Sequence, residues 1–268
     1  MATTAFIGGG NMAGAILGGL RRAGRDGATM LVVEPDAGRR EALASAFGVA
    51  TLGAASEALK AAEIVVWAVK PQLFREAADA AARYVGSALQ LSVMAGIRSE
   101  AIVRATSTER VVRAMPNTPA LIAQGISGLY ARPAVGACER RDVESVLGVT
   151  GRLLWVADEA DLDAVTALSG SGPAYVFYFA EAMVRSAVAM GLTAEQGREL
   201  ALGTFAGAAA LAQGSKESLE TLRERVTSKG GTTHAAITAL DAAGVAGAFG
   251  GAIEAARRRA RELGDAYG

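Results

Sequence analysis

The stretch AFIGGGNMAGAI, residues 5–16, restricts the fold of this chain more than any other segment. Ala5, Phe6 and Ile7 form a short apolar run suited to a buried parallel strand. Gly8, Gly9 and Gly10 then make a tight turn, and Met12, Ile16, Leu17 and Leu20 recur at helical spacing. In the context of strand, turn and helix, Gly8-x-Gly10-x-x-Ala13 fits the dinucleotide fingerprint. The first glycine permits the turn, and the second lets a pyrophosphate approach backbone at the helix N-terminus. Ala13 is small enough for the helix to pack on the strand. A purely structural glycine turn is the alternative.

About 20 residues further on, such a unit needs a group that reads the adenosine ribose. Leu31 to Val33 read as the second strand, and Glu34 follows it. A carboxylate there accepts from a 2′-hydroxyl and repels a 2′-phosphate, which favours NADH. Arg39 and Arg40 come next; they either offset a phosphate or are solvated helix charges. Further strands are expected within 63–71, 89–97, 110–120, 125–131 and 152–157, with helical stretches between most of them. This predicts an α/β fold with a doubly wound, Rossmann-type sheet over residues 1–157. Ligands in such sheets sit at the carboxyl ends of the strands. Lys70, Ala95, Gly96 and Asn117 fall there, where a plain turn role is the competing reading.

From Asp158 no strand-like run follows, and 158–268 reads as an all-α module. Helices are expected near 174–190, 194–213, 216–227, 232–243 and 245–263, with Gly191, Gly214 and Gly244 as stops. Their faces are rich in Ala and Gly and poor in large side chains, so the module is expected to be completed by a partner subunit. Two segments stand out. LSGSGPAYVF (168–177) breaks a helical pattern with Gly170, Gly172 and Pro173; Pro173 suits a first helical turn, with Ser171 or Gly172 as cap. TSKGGTTHAAI (227–237) places Ser228, Gly230, Gly231, Thr232 and Thr233 before a helix. Two donor-rich helix starts suit a small carboxylate.

Composition narrows the chemistry. Lys plus Arg (27) balances Asp plus Glu (27), which argues against a nucleic-acid partner. One Cys, Cys138, allows no intrachain disulfide, and with one His, His234, a zinc site of about four such ligands is not expected. No stretch approaches the roughly 20 strongly apolar residues of a membrane span, and the start lacks a leader pattern, so a cytoplasmic protein is the default expectation.

The motifs IGGGNMAGAI, AVKP, AMPNTPALI, LSGSGPAYVF and TSKGGTTHAAI, in this order, resemble the motif set of pyrroline-5-carboxylate reductases. The resemblance spans nearly the whole chain. It implies an N-terminal Rossmann domain and a helical domain that interlocks in a homodimer, often assembled further into decamers. It implies reduction of 1-pyrroline-5-carboxylate to L-proline, the last step of proline biosynthesis, with NADPH or NADH and no metal. Cofactor contacts are then expected from Gly8, Gly10, Asn11, Met12, Ala13, Glu34, Ala68, Val69, Lys70, Pro71, Ala95, Gly96 and Asn117. Substrate contacts are expected from Ser171, Gly172, Ser228, Gly231, Thr232 and Thr233, the later ones reaching in from the partner subunit. Lys70, Thr166 and Thr233 are the expected catalytic residues, and His234 is a weaker candidate. One departure is Lys229, which stands where the family usually has proline. Alternatives are a β-hydroxyacid dehydrogenase or imine reductase on the same fold, and a nucleotide-binding regulator without catalysis.

Overall fold

The structure, a computed structural model, describes residues 3–267. Eight strands form one sheet in the order β3-β2-β1-β4-β5-β6-β7-β8. They are β1 (Thr4–Ile7), β2 (Met30–Val33), β3 (Ala50–Leu52), β4 (Ile64–Trp67), β5 (Leu89–Ser92), β6 (Val111–Met115), β7 (Gly125–Ala131) and β8 (Gly151–Trp155). Helices α1 (Asn11–Arg22), α2 (Ala37–Phe47), α3 (Phe74–Val85), α4 (Ser99–Thr106) and α5 (Ala137–Leu147) join them. All neighbouring strands are parallel except β6 and β7. The β6–β7 connection explains the exception: it spans only residues 116–124, and a parallel crossover needs a dozen residues or more.

Short apolar strands alternate their side chains between two helical layers. Phe6, Val32, Val66 and Leu91 pack with Ile16, Leu17 and Leu20 of α1 and with Val143 and Val146 of α5. Ala5, Ile7, Val65 and Trp67 pack with Phe74, Ala78 and Val85 of α3 and Ile102 of α4. The Trp67 indole N–H is not orphaned by burial: it donates to the Gln90 Oε1 at 2.8 Å. The Gln90 amide in turn donates to the Val85 and Ala88 carbonyls.

The sequence does not show β3. Its three residues, Ala50, Thr51 and Leu52, carry little apolar signal, and the strand forms because it adds an edge to β2. β1, β2 and β7 end where expected, whereas β4, β5, β6 and β8 stop earlier, at Trp67, Ser92, Met115 and Trp155, and residues 68–71, 93–97 and 116–120 are loops and turns on the sheet's carboxyl edge.

The chain divides into two compact units. One runs up to Ser171 and resumes at Ala256; the other is Gly172–Ala255. Helix α6 (Asp161–Val165) and the π-turn after it, Thr166–Gly170, belong to the first unit. Val165 lies where a side chain on Gly128 of β7 would be, 2.7 Å from its Cβ position. Asp163 accepts both terminal nitrogens of Arg98, at 3.0 and 3.2 Å. Glu159 accepts the Ser99 N–H, the Ser99 hydroxyl and the Arg113 guanidinium, at 2.6, 2.5 and 2.8 Å. The last part of helix α11 (Val245–Tyr267) also lies in this unit, where Gly264 makes room for the Arg98 guanidinium.

The second unit holds α7 (Gly172–Ala189), α8 (Ala194–Gly214), α9 (Leu219–Arg225), α10 (Thr232–Ala242) and the start of α11. Gly191 and Gly244 turn the chain with φ of 95° and 66°, as expected of helix stops. Gly214 instead closes α8 from inside, and Ser215 is the C-cap. Gly197 allows α8 to approach α7, since a Cβ there would come 2.8 Å from Ala187 Cβ. Large apolar side chains remain exposed: Phe177 at 61%, Tyr178 at 64%, Met190 at 76% and Leu219 at 75%.

Burial alone would raise the Glu159 carboxyl, but the two Ser99 donors and Arg113 outweigh it and hold the group below its ordinary value. A depressed folded value means stability that is present above the unfolded value of about 4.3 and lost as pH falls through the folded value. Glu159→Gln is therefore expected to lower Tm at neutral pH, with the gap to wild type shrinking below about pH 4. A gap that stays constant down to about pH 3 counts against this account.

Candidate active site

The strand order reverses across β1 and β4, and the carboxyl edge there opens a crevice of the type that binds ligands. The ladder runs one residue beyond the strands: the Ala68 N–H donates to the Ile7 carbonyl at 2.8 Å, and Val93 N–H to Trp67 at 3.0 Å. Gly8, Ala68 and Val93 thus lie side by side at the strand ends. Gly8 has φ of 97°, and a Cβ there would fall 2.8 Å from the Ala68 carbonyl oxygen and 2.9 Å from Val69 Cγ1. Its lack of a side chain is required by the fold.

Gly10 is different. A Cβ on it would meet no protein atom nearer than Ala68 O at 3.9 Å. Gly10 is the N-cap of α1, makes no side-chain cap, and no acidic residue lies in the first turn. The first N–H groups of a helix lack intrahelical partners, and their end of the macrodipole is positive. Asn11, Met12 and Ala13 supply these donors, and Ala13 is fully buried beneath them. The protein leaves space at Gly10 and offers donors around it, which fits a dinucleotide pyrophosphate.

Glu34 follows β2 as expected and is 8% exposed. Its carboxylate is already engaged: Oε2 accepts from Gly9 N–H at 2.9 Å and Oε1 from Asp36 N–H at 3.0 Å. It therefore fixes the glycine turn. The sequence reading missed this use, although a third consecutive glycine is more than the fingerprint needs. A Cβ on Gly9 would come 2.5 Å from Leu43 Cδ1 and 3.2 Å from Glu34 Oε2. Arg39 lies 3.9 Å from Glu34 Oε2, while Arg40 donates to the Glu34 and Pro35 carbonyls.

Ala68, Val69, Lys70 and Pro71 follow β4 on the same edge, with Lys70 exposed as the cap of a 3₁₀ turn, Pro71–Leu73. Ala95 and Gly96 form the turn after β5, where Gly96 has φ of 75°. Asn117, expected to meet the cofactor, spends its amide within the fold. Oδ1 accepts from Ile126 N–H at 3.0 Å, and Nδ2 donates to the Ser169 carbonyl at 3.1 Å.

The SGSGP segment is not a break between two capped helices. Thr166–Gly170 is a π-turn closed by Ser171 N–H on the Thr166 carbonyl at 2.9 Å. Ser171 is right-handed helical at φ −84° and ψ −18°, so it lacks the extended backbone of an N-cap. Gly172 is the first residue of α7. The reason is local: a π-turn absorbs the extra residue without leaving helical dihedrals. Thr166 is half-buried, and its hydroxyl donates to the Leu162 carbonyl at 2.7 Å, leaving oxygen lone pairs to accept.

Ser228, Gly231, Thr232 and Thr233 lie in the second unit. Gly230 turns the chain at φ 77°, and Gly231 is the N-cap of α10 with its N–H on the Ser228 carbonyl at 3.0 Å. A Cβ on Gly231 would fall 2.8 Å from Ser228 Oγ. Thr232 and Thr233 open the helix, so their N–H groups belong to the unpaired first turn. His234 is exposed on the same turn. Among the described residues no group of His, Cys, Asp and Glu could hold a metal ion, and no single helix is long and apolar enough to cross a membrane.

Two family profiles match the chain: "Pyrroline-5-carboxylate reductase dimerisation" over residues 159–263 and "NADP oxidoreductase coenzyme F420-dependent" over residues 3–96. A pyrroline-5-carboxylate reductase of Pseudomonas aeruginosa is 41% identical over 98% of this chain and 97% of its own. The structure of a pyrroline-5-carboxylate reductase from Coxiella burnetii superposes with TM-score 0.92 at 34% identity, covering 98% of both chains. The Plasmodium falciparum pyrroline carboxylate reductase, crystallised with NADP bound, gives TM-score 0.86 at 25% identity over 98% of both.

The two glycines give opposite expectations. Gly10→Ala should leave Tm of the ligand-free protein within about 2 °C but weaken NAD(P)H binding roughly tenfold or more, read by calorimetric titration. Gly8→Ala should lower Tm by several degrees, because a Cβ has no room there and φ is positive. Equal loss of Tm in both would remove the pyrophosphate argument. Glu34→Ser is expected to shift the NADPH/NADH ratio of KM values about fivefold towards NADPH, on the order of 1 kcal/mol for a screened charge. An unchanged ratio would show that Glu34 serves only the glycine turn.

Proposed function

The chain belongs to the pyrroline-5-carboxylate reductase family, and we propose how its residues divide the reduction of 1-pyrroline-5-carboxylate to L-proline. It is an NAD(P)H-dependent oxidoreductase acting on a C=N bond in proline biosynthesis. The observation that carries the reaction is the 41% identity that runs through both units, over 98% of the chain. A β-hydroxyacid dehydrogenase or a non-catalytic regulator gains nothing comparable.

The cofactor is read as lying on the carboxyl edge of the sheet. Gly8, Gly10, Asn11, Met12 and Ala13 hold the pyrophosphate, and Glu34 faces the ribose. Ala68, Val69, Lys70, Pro71, Ala95 and Gly96 line the nicotinamide half. Glu34 disfavours a 2′-phosphate and the neighbouring Arg39 attracts one, so the chain is read as accepting NADH and NADPH. When bound, the reduced nicotinamide supplies the hydride that reduces the imine carbon.

The remaining work is binding, orientation and charge. An imine is most electrophilic when protonated, so the reacting form carries an N–H that needs an acceptor. Thr166 Oγ1 suits that role: its own proton already goes to the Leu162 carbonyl. Ser171 and Gly172 form a wall of the substrate site. Ser228, Gly231, Thr232 and Thr233, supplied by the partner subunit, receive the carboxylate on the first-turn N–H groups of α10 and on hydroxyls. Lys229 adds a positive charge beside it, and Lys70 adds one on the nicotinamide side. No covalent intermediate is called for, so positioning supplies most of the barrier reduction. The exposed apolar faces of α7 and α8, in a region that matches a dimerisation profile, support a homodimer as the working form.

Loss of NAD(P)H absorbance on adding pyrroline-5-carboxylate, against a β-hydroxyacid panel run in reverse, tests the reaction. No turnover of the imine defeats it. Thr233→Val is expected to raise KM for the imine and lower kcat/KM roughly 10- to 150-fold, with cofactor affinity little changed, since a hydrogen bond to a charged group is worth about 1.5–3 kcal/mol. Co-expressing Thr233→Val with a Gly10→Asp chain should restore substantial activity, because a mixed dimer has one site with both lesions and one with neither. Mixed dimers as inactive as either parent would show that each site is built within one chain.

A further inference from the structure

We propose that Arg98 and Asp163 are positioning residues for hydride transfer: their paired side chains tie the turn after β5 to the π-turn Thr166–Gly170. In the site reading above, on which this rests, Ala95 and Gly96 line the nicotinamide and Thr166 meets the imine. Both turns belong to the first unit. Arg98 stands two residues after Gly96 and is the N-cap of α4. Ile97, between them, is 1% exposed, so the step from the turn to Arg98 is anchored in the core. Asp163 stands three residues before Thr166, whose N–H donates to the Asp163 and Leu162 carbonyls. The two side chains meet as a fork: Arg98 Nη1 donates to Oδ1 at 3.2 Å and Nη2 to Oδ2 at 3.0 Å. One ion pair, closed over 65 residues of sequence, thus links the turn on the hydride side to the turn on the imine side.

Both partners of the pair are confined. Gly264 of α11 lies against the guanidinium, where a Cβ would stand 2.5 Å from Nη2 and 2.6 Å from Cζ. Asp265 also reaches Nη2 at 3.8 Å, but its side chain is 72% exposed, against 9% for Asp163. Four residues before Asp163, Glu159 accepts the Ser99 N–H and hydroxyl, so two successive residues at the start of α4 hold the segment 159–163 at both its ends. A buried ion pair is a poor source of net stability, because both charges give up water to form it. A planar fork on a carboxylate does fix distance and direction together. A reaction that relies on positioning needs that, since a displacement of about 1 Å can cost about a hundredfold in rate. The Thr166 hydroxyl moves with the pair: it donates to the Leu162 carbonyl, in the same turn of α6 as Asp163, and its lone pairs face outward for the imine N–H.

The test is single-turnover reduction of the imine by wild type, Arg98→Lys, Asp163→Asn, the double variant and Thr166→Ala. Enzyme is in excess over NADPH, and the loss of NADPH absorbance is followed at saturating imine. Arg98→Lys keeps the charge and loses the fork. Either single substitution in the pair is expected to lower the rate constant about threefold to tenfold, at full amplitude and with the Kd for NADPH changed less than about twofold. The double variant should be within about twofold of the slower single variant, because both substitutions remove one contact. A reduced amplitude at an unchanged rate constant, as a misfolded fraction would give, overturns the proposal. Losses that multiply in the double variant, or a Kd for NADPH that rises in step with the loss of rate, overturn it too. Thr166→Ala separates this proposal from the site reading beneath it. A Thr166→Ala protein as fast as wild type overturns the site reading and the proposal together, and so does a wild type that does not reduce the imine. A slow Thr166→Ala protein beside pair variants of full speed overturns the proposal alone. If Asp163→Asn is insoluble, Arg98→Lys decides by the same rate constant and amplitude.

Discussion

The contact between Gly8 and the Ala68 carbonyl sets the working edge of this protein. No side chain fits between them, and the positive φ of Gly8 turns the chain off β1 at that point. From there the geometry follows in order. The turn delivers Gly10 to the start of α1, Glu34 fastens Gly9 from the next strand, and Ala68 begins the loop that carries Lys70 and Pro71. The first-turn donors of α1, the Glu34 carboxylate and the Ala68–Pro71 loop share one edge of the sheet because two main-chain segments pass so close together. Side chains contribute little there; what matters is where they are missing.

Much of this was legible in the sequence, for identifiable reasons. The strand, turn and helix around Gly8 were legible because the demand on that glycine is steric, and steric rules are local. The helices of residues 172–267 read to within four residues at their ends, because Gly191 and Gly244 mark stops by left-handed turns. β3 was hidden because an edge strand of Ala, Thr and Leu has no pattern of its own and exists only by pairing with β2. The π-turn was hidden for a related reason: glycine and proline signal that α-helical bonding stops, but not which other bonding takes its place. The uses of Glu34 and Asn117 were invisible because their partners, Gly9 and Ser169, lie 25 and 52 residues away.

The two units bury their residues in different ways. The first has a sheet between two apolar layers, and buried polar side chains pair within it: Trp67 with Gln90, Arg98 with Asp163, Glu159 with Ser99 and Arg113, although Arg113 Nε is buried without a partner among the described residues. The second has small residues where its own helices meet, such as Gly197 against Ala187, and keeps an aromatic cluster of Tyr175, Phe179 and Phe249. Its larger apolar residues face outward. Such a surface is unusual for a lone helical body, and it accords with the dimerisation profile that covers residues 159–263.

The placement of the tryptophans has a practical consequence. The chain has two, Trp67 on β4 and Trp155 on β8, and both lie in the first unit. Trp67 is fully buried and stands immediately before Ala68. Intrinsic tryptophan fluorescence therefore watches the sheet and is blind to the helical unit, while far-ultraviolet dichroism sees both. Followed together during denaturation, the two signals separate the melting of one unit from the other without any label. The same indole stands one residue before Ala68 on the sheet's carboxyl edge, so quenching of its emission on adding a reduced nicotinamide would bear on the proposed cofactor site.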